Sequence, residues 1–238
     1  MKTFSIDYLG DFETLTEKTK LLYKAFEQGK NIEESFSSIF EIDFRLVFGT
    51  QNPMSALFKL LDIYYKNEAY IKKTFFDKVL SKNSHISYYE LPIENSRIDI
   101  FSVGKESIAY EIKTKYDSMV RLSKQILDYS KCFEYVYVIC PSCMVKEILK
   151  TIPDYCGIFV YDDKRRSPGY HKFRVAKKSP NLDKTSMVSN MFLKEKNDSF
   201  KTADESSITN NYSFSQIDSS FKEAIKERYR LKYQALFA

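Results

Sequence analysis

The sequence predicts an α/β fold: a mixed central sheet flanked by helices, preceded by a helical extension and closed by a C-terminal helix. Three observations carry this expectation. Apolar residues recur at helical spacing through residues 12–80, alternate in short stretches after Lys82, and then fall into apolar runs separated by one further helical segment.

The elements follow in order. Leu15, Thr19, Leu22, Tyr23 and Phe26 share one helical face, and Ile32, Phe36, Ile39, Phe40, Phe44 and Val47 share a second. Pro53 suits the first turn of a third helix with Leu57, Leu60, Leu61 and Tyr64 inward, and a fourth over 68–80 carries Ile71, Phe75, Phe76 and Val79. Residues 86–91, 97–103 and 107–113 read as three strands, with breaks at Glu94-Asn95 and Gly104-Lys105. Asp117 is placed to cap a helix running to about Cys132, with Leu122, Ile126 and Phe133 inward. Residues 134–140 read as a buried strand, 143–149 as a helix and 157–161 as another strand. Residues 196–220, rich in Ser, Asn, Asp and Thr, are expected to form a linker or loose loop, and a basic amphipathic helix is expected over 221–237. The resulting organisation is a helical extension over 1–67, a core over 68–182 and C-terminal helices with a polar linker over 183–238.

Composition excludes several classes. The 238 residues are 43% hydrophobic and 29% charged, an ordinary globular balance. With six glycines and neither GxGxxG nor GxxxxGK[ST], there is no phosphate-cradling loop of the dinucleotide or NTP type. The two histidines, His85 and His171, give a Ser-His-Asp or HExxH enzyme nothing to build on. The polar start over residues 1–11 is unlike a signal peptide, and no apolar run reaches the length of a membrane span, so a cytoplasmic location without a membrane partner is expected. Cys132, Cys140, Cys143 and Cys156 are read as reduced thiols rather than a disulfide scaffold or a zinc or iron–sulfur site. Net charge is +5, and residues 164–182 hold seven Lys or Arg and no acid, either a solvated loop and strand or a phosphate-contacting rim that includes Lys164, Arg165 and Arg166.

One constellation suggests chemistry. Asp99 lies in an alternating segment, and twelve positions later comes Glu111-Ile112-Lys113. Adjacent antiparallel strands would set the two carboxylates side by side, and alternation would send Glu111 and Lys113 to one face. Two carboxylates with the Ile112 carbonyl suit Mg²⁺ or Mn²⁺, and the lysine suits an attacking water or a developing negative charge. The expectation is metal-dependent hydrolysis of phosphodiester bonds in DNA.

The string Glu90-Leu91, Arg97-Ile98-Asp99-Ile100, Tyr110-Glu111-Ile112-Lys113, Asp117-Ser118, Arg121-Leu122, Gln125 and Tyr129 resembles the PD-(D/E)xK, or restriction-endonuclease-like, nuclease superfamily over residues 68–161. It is closest to a little-characterised bacterial family with the same pattern. The resemblance implies a restriction-endonuclease-like sheet, Asp99 and Glu111 as metal ligands, and Lys113 as the catalytic lysine. It also implies Glu90 as an upstream metal-binding acid. Gln125 and Tyr129 match a QxxxY signature and share a helical face with Arg121, so Gln125 joins the catalytic set while Arg121 and Tyr129 become candidate nucleic-acid contacts. Ile98 stands where that superfamily often has Pro or Gly. The leading alternative is a nuclease-like fold that binds nucleic acid or protein without cutting, and a further one is a regulatory protein whose helical N-terminus meets another protein.

Overall fold

A computed structural model of the chain describes residues 6–82, 85–162 and 168–236. The described residues fall into two compact units, one of residues 6–73 with 168 and one of residues 74–82, 85–162 and 169–236.

The first unit is helical. A short 3₁₀ turn is followed by α1 (Phe12–Glu27), α2 (Ile32–Phe40), α3 (Phe44–Phe48) and α4 (Pro53–Tyr64), with α5 (Glu68–Lys78) beginning in this unit. Each of the first four helices starts on an Asp or Asn whose side chain accepts a backbone N–H of the first turn: Asp11, Asn31, Asp43 and Asn52. The spacing predicts one continuous helix through Phe36 and Val47, whereas the chain breaks between them. Glu41 adopts a left-handed conformation (φ 58°) and Asp43 caps a new helix, so Phe36, Phe40 and Phe44 meet around a corner, with Phe36 and Phe40 stacked 4.3 Å apart.

The second unit is built on a six-stranded mixed sheet in the order β1-β2-β3-β4-β5-β6. Its strands are β1 (Ile86–Ile93), β2 (Ser96–Val103), β3 (Ser107–Ile112), β4 (Tyr135–Pro141), β5 (Gly157–Tyr161) and β6 (Tyr170–Arg174). β1, β2 and β3 form an antiparallel meander; β3, β4 and β5 run parallel; β6 returns antiparallel as an edge. The parallel pairs are joined through α6 (Leu122–Cys132) and α7 (Val145–Thr151), as parallel pairing requires of its crossovers. One sheet face packs Val136, Val138, Ile158 and Val160 into a core with Ile126 and Tyr129 of α6. The other carries Tyr110, Tyr137 and Phe159, with Phe75 from the end of α5 edge-on to Tyr110 and Phe159. Gly157 is required here: a Cβ would fall 2.1 Å from the Tyr137 ring. The fold class is therefore α/β with a mixed sheet between helices, as the change of period predicts.

Two local expectations are corrected. Asp117 does not cap α6, which starts at Leu122 after Arg121 with no side-chain cap; its carboxylate instead accepts from Thr114 N and Oγ1. Residues 196–220 are no loose linker. α8 (Lys184–Ser189), α9 (Leu193–Phe200), α10 (Glu205–Asn211) and α11 (Phe214–Leu236) occupy nearly the whole tail. Polar residues dominate there because they serve as caps, Asp183 and Asp204 among them, while the widely spaced Phe200, Ile208, Ile217 and Phe221 reach the core. Among the described residues no helix is long and apolar enough to cross a membrane.

Candidate functional site

The sheet brings most of the sequence-predicted residues to the face beneath α6. The β2–β3 ladder ends at Ile100–Tyr110, and beyond it the Asp99 carboxylate takes the backbone N–H of Ile112 at 2.7 Å, supplying the acceptor that the diverging strand no longer offers. Glu111 and Lys113 lie on one face, as alternation requires, and Lys113 Nζ sits 2.6 Å from Glu111 Oε1. Gln125, on α6, accepts from the same ammonium at 3.1 Å. Tyr129, one turn on, has its hydroxyl 2.8 Å from Glu111 Oε2 and 2.7 Å from the Arg97 carbonyl. Burial first, and then the neighbouring Glu111 carboxylate, hold that phenol far above its ordinary range, so it stays protonated and donates.

Asp99 is 7%, Glu111 2% and Lys113 7% exposed. The geometry is that of an interior polar network in which each charged group already has a partner of matching chemistry. What it does well is fix α6 on the sheet: α6 contributes Gln125 and Tyr129, β3 contributes Glu111, and the chain just beyond β3 contributes Lys113.

Glu90 stands apart. It has φ 62°, and the β1–β2 ladder steps from Tyr89–Ile100 to Leu91–Ile98 around it. Its carboxylate and that of Asp99 offer oxygens within 4.8 Å of one another, close enough to share a divalent cation. Arg97, whose Nε lies 2.7 Å from Glu90 Oε2, already supplies positive charge there. Arg121 is exposed at the start of α6, outside the network. Lys164, Arg165 and Arg166 lie outside the described residues.

Sequence reasoning missed a second buried ionic node. Glu134 Oε2 accepts from Lys222 at 2.6 Å and from the Ser107 N–H at 3.0 Å, and its Oε1 from Lys178 at 2.9 Å. It ties α11 and the segment after β6 to the sheet. A glutamate opening an apolar run was the available signal, but its partners lie 27 to 88 residues away and no local pattern marks them.

The profile of the family described as bacteriophage P4 protein cII matches residues 63–238. The chain belongs to that family. This membership overturns the resemblance to the PD-(D/E)xK nuclease superfamily, and with it the expected activity as a metal-dependent deoxyribonuclease, endonuclease or hydrolase. A D…ExK string is short, and the fold uses its members here in an interior network that a pattern match cannot tell from a catalytic centre. No curated protein matches the chain. A solved structure, the SPO1766 protein of unknown function from Silicibacter pomeroyi, is similar at 13% identity with a TM-score of 0.42, covering 70% of this chain and 88% of that one. That likeness is too low to carry an argument.

Proposed function

We propose that this member of the bacteriophage P4 protein cII family is a cytoplasmic nucleic-acid-binding module, with DNA as partner and no hydrolytic activity. Its sheet order is compatible with a restriction-endonuclease-like arrangement, used here for binding. In this reading Asp99, Glu111, Lys113, Gln125 and Tyr129 are structural. Glu111, Lys113, Gln125 and Tyr129 hydrogen-bond one another, Asp99 holds the Ile112 N–H, and the burial of the three charged groups keeps a phosphodiester from reaching them.

The observation that carries the proposal is the edge of the sheet at β6. Residues 168–182 contain Lys172, Arg174, Lys177 and Lys178 and no acid, and His171, Lys172 and Phe173 face solvent on the edge strand itself. Arg174 is used by the fold, donating to the Cys156 and Pro153 carbonyls. Lys177 and Lys178 pair with Asp154 and Glu134, yet their side chains remain 70% and 57% exposed. The Lys177–Asp154 pair is exposed on both sides, and a pair of this kind contributes little and leaves the Lys177 ammonium available to phosphates, whereas Lys178 is committed to the buried Glu134. A basic strand edge with an exposed aromatic residue, Phe173, beside its charges suits phosphate contact that is independent of sequence.

Mg²⁺ or Mn²⁺, hard ions that prefer carboxylate oxygens, is the ion that the Glu90–Asp99 pair would take, displacing Arg97 from Glu90. Its role would be structural, a counter-charge between β1 and β2 in place of Arg97.

Fluorescence anisotropy with labelled DNA tests the proposal. Binding should weaken steeply with salt, and a Lys172→Ala/Lys177→Ala variant should bind more weakly with a salt slope reduced by about one to two units. Absence of binding at low salt, or an unchanged slope in the variant, contradicts it.

A further inference from the structure

β3, β4 and β5 run parallel, so their carboxyl ends form one rim of the sheet. Open α/β sheets take ligands at such a rim, where the crossover loops leave a crevice. The loop leaving β3 is held unusually firmly for an exposed connection. Lys113 N donates to the Ile139 carbonyl at 2.8 Å, and the Tyr161 hydroxyl donates to the Lys113 carbonyl at 3.4 Å. Asp117 N then closes a turn on the Thr114 carbonyl at 3.1 Å, while the Asp117 carboxylate grips Thr114 N and Oγ1 at 2.7 and 2.8 Å.

The two central residues of that turn are Lys115 and Tyr116, and the clamp presents both to solvent. Tyr116 is 43% exposed, and Lys115 Nζ lies 5.3 Å from its ring centroid, a cation held over an aromatic face. Arg121, on the same loop, is exposed too, and Val120 between them is 88% exposed. A preset turn with an aromatic ring beside one cation and close in sequence to another is suited to a flat π-surface flanked by negative charge.

We infer that this turn is a contact for single-stranded nucleic acid, with an unpaired base stacking on Tyr116 and the flanking phosphates meeting Lys115 and Arg121. The inference rests on the nucleic-acid reading above and adds the strand form and the site. A tyrosine face can stack only a base that has left its own stack, so single strands are favoured over duplex. Asp117 is a positioning residue that acts through the turn.

The test is anisotropy of the full-length protein with labelled oligothymidine and with a duplex of equal length, together with the fluorescence of a 2-aminopurine placed within the single strand. Wild type should bind the single strand more tightly and change the 2-aminopurine signal. Tyr116→Phe should behave as wild type, whereas Tyr116→Ala and Tyr116→Leu should each lose roughly ten-fold or more in affinity and lose the 2-aminopurine change. Asp117→Ala should lose affinity, and Asp117→Asn, which keeps an oxygen for Thr114, should regain most of it. If wild type binds DNA but both Tyr116 variants bind the single strand equally well, this inference is overturned and the broader proposal stands. If wild type binds no nucleic acid at all, both are overturned.

Discussion

The Tyr129 hydroxyl lies between two acceptors, Glu111 Oε2 at 2.8 Å and the Arg97 carbonyl at 2.7 Å, with one proton to offer them. The tyrosine thereby joins α6 to β2 and β3 at once, and Gln125 and Lys113 extend the link. Such an arrangement gives a single answer to how the helix sits on the sheet, because sliding the helix breaks several buried hydrogen bonds together.

Tyr129→Phe should therefore destabilise the protein by about 1–3 kcal/mol, the cost of leaving a buried carboxylate oxygen without its donor. Chemical denaturation measures this. A change under about 0.5 kcal/mol, within the range of an ordinary surface substitution, would show that the network does not hold α6.

The Lys113–Glu111 pair offers a sharper contrast. Removing only the lysine, as Lys113→Met, strands a buried negative charge and should cost about 3–5 kcal/mol, whereas Lys113→Met with Glu111→Leu should recover much of that loss. A double-mutant cycle reads the coupling directly. Additive losses would mean that the two groups do not depend on one another.

Acid should act through Glu134. Burial alone would raise its carboxyl, but hydrogen bonds from Lys222, Lys178 and the Ser107 N–H outweigh that and hold it below its ordinary value of 4.5. A carboxyl lowered in the folded state contributes stability that is present above the unfolded value and lost as pH falls through the folded one. Stability should thus drop as pH falls below about 4.5, and Glu134→Gln should flatten that limb while lowering stability at neutral pH. An identical acid limb in the variant would remove Glu134 from the account.

The cysteines should divide by burial. Cys140 and Cys156 are pushed up to about 12 and Cys132 is raised further, each chiefly by burial, whereas Cys143 is exposed. A thiol reagent should label Cys143 in the folded protein and the other three only after unfolding. Rapid labelling of Cys140 in the folded state would contradict the packing of β4.

Much of this fold was legible because its period changes in step with its elements. Strands β1 to β5 fall within a few residues of where alternation and apolar runs put them, and the buried positions of α6 follow its spacing. The tail failed for a physical reason: α8, α9 and α10 have 6, 8 and 7 residues, too short for periodicity to register, and their capping residues look like loop composition. The site was legible as a gathering but not as a function. Alternation places Glu111 beside Lys113, yet it cannot reveal that Tyr129 and Gln125 complete their hydrogen bonds from another element. Arg97 was visible in the same string, but its pairing with Glu90 joins two strands at a residue whose left-handed backbone (φ 62°) no local pattern announces.

One gel tests binding without hydrolysis most directly: end-labelled single- and double-stranded DNA, incubated with pure protein and Mg²⁺ or Mn²⁺, with half of each sample run native and half denatured. The native lanes should show retarded DNA, and the denatured lanes full-length strands at every time point. Shortened strands that depend on the metal and disappear in Glu111→Gln, or native lanes with no retarded DNA, would contradict the proposal.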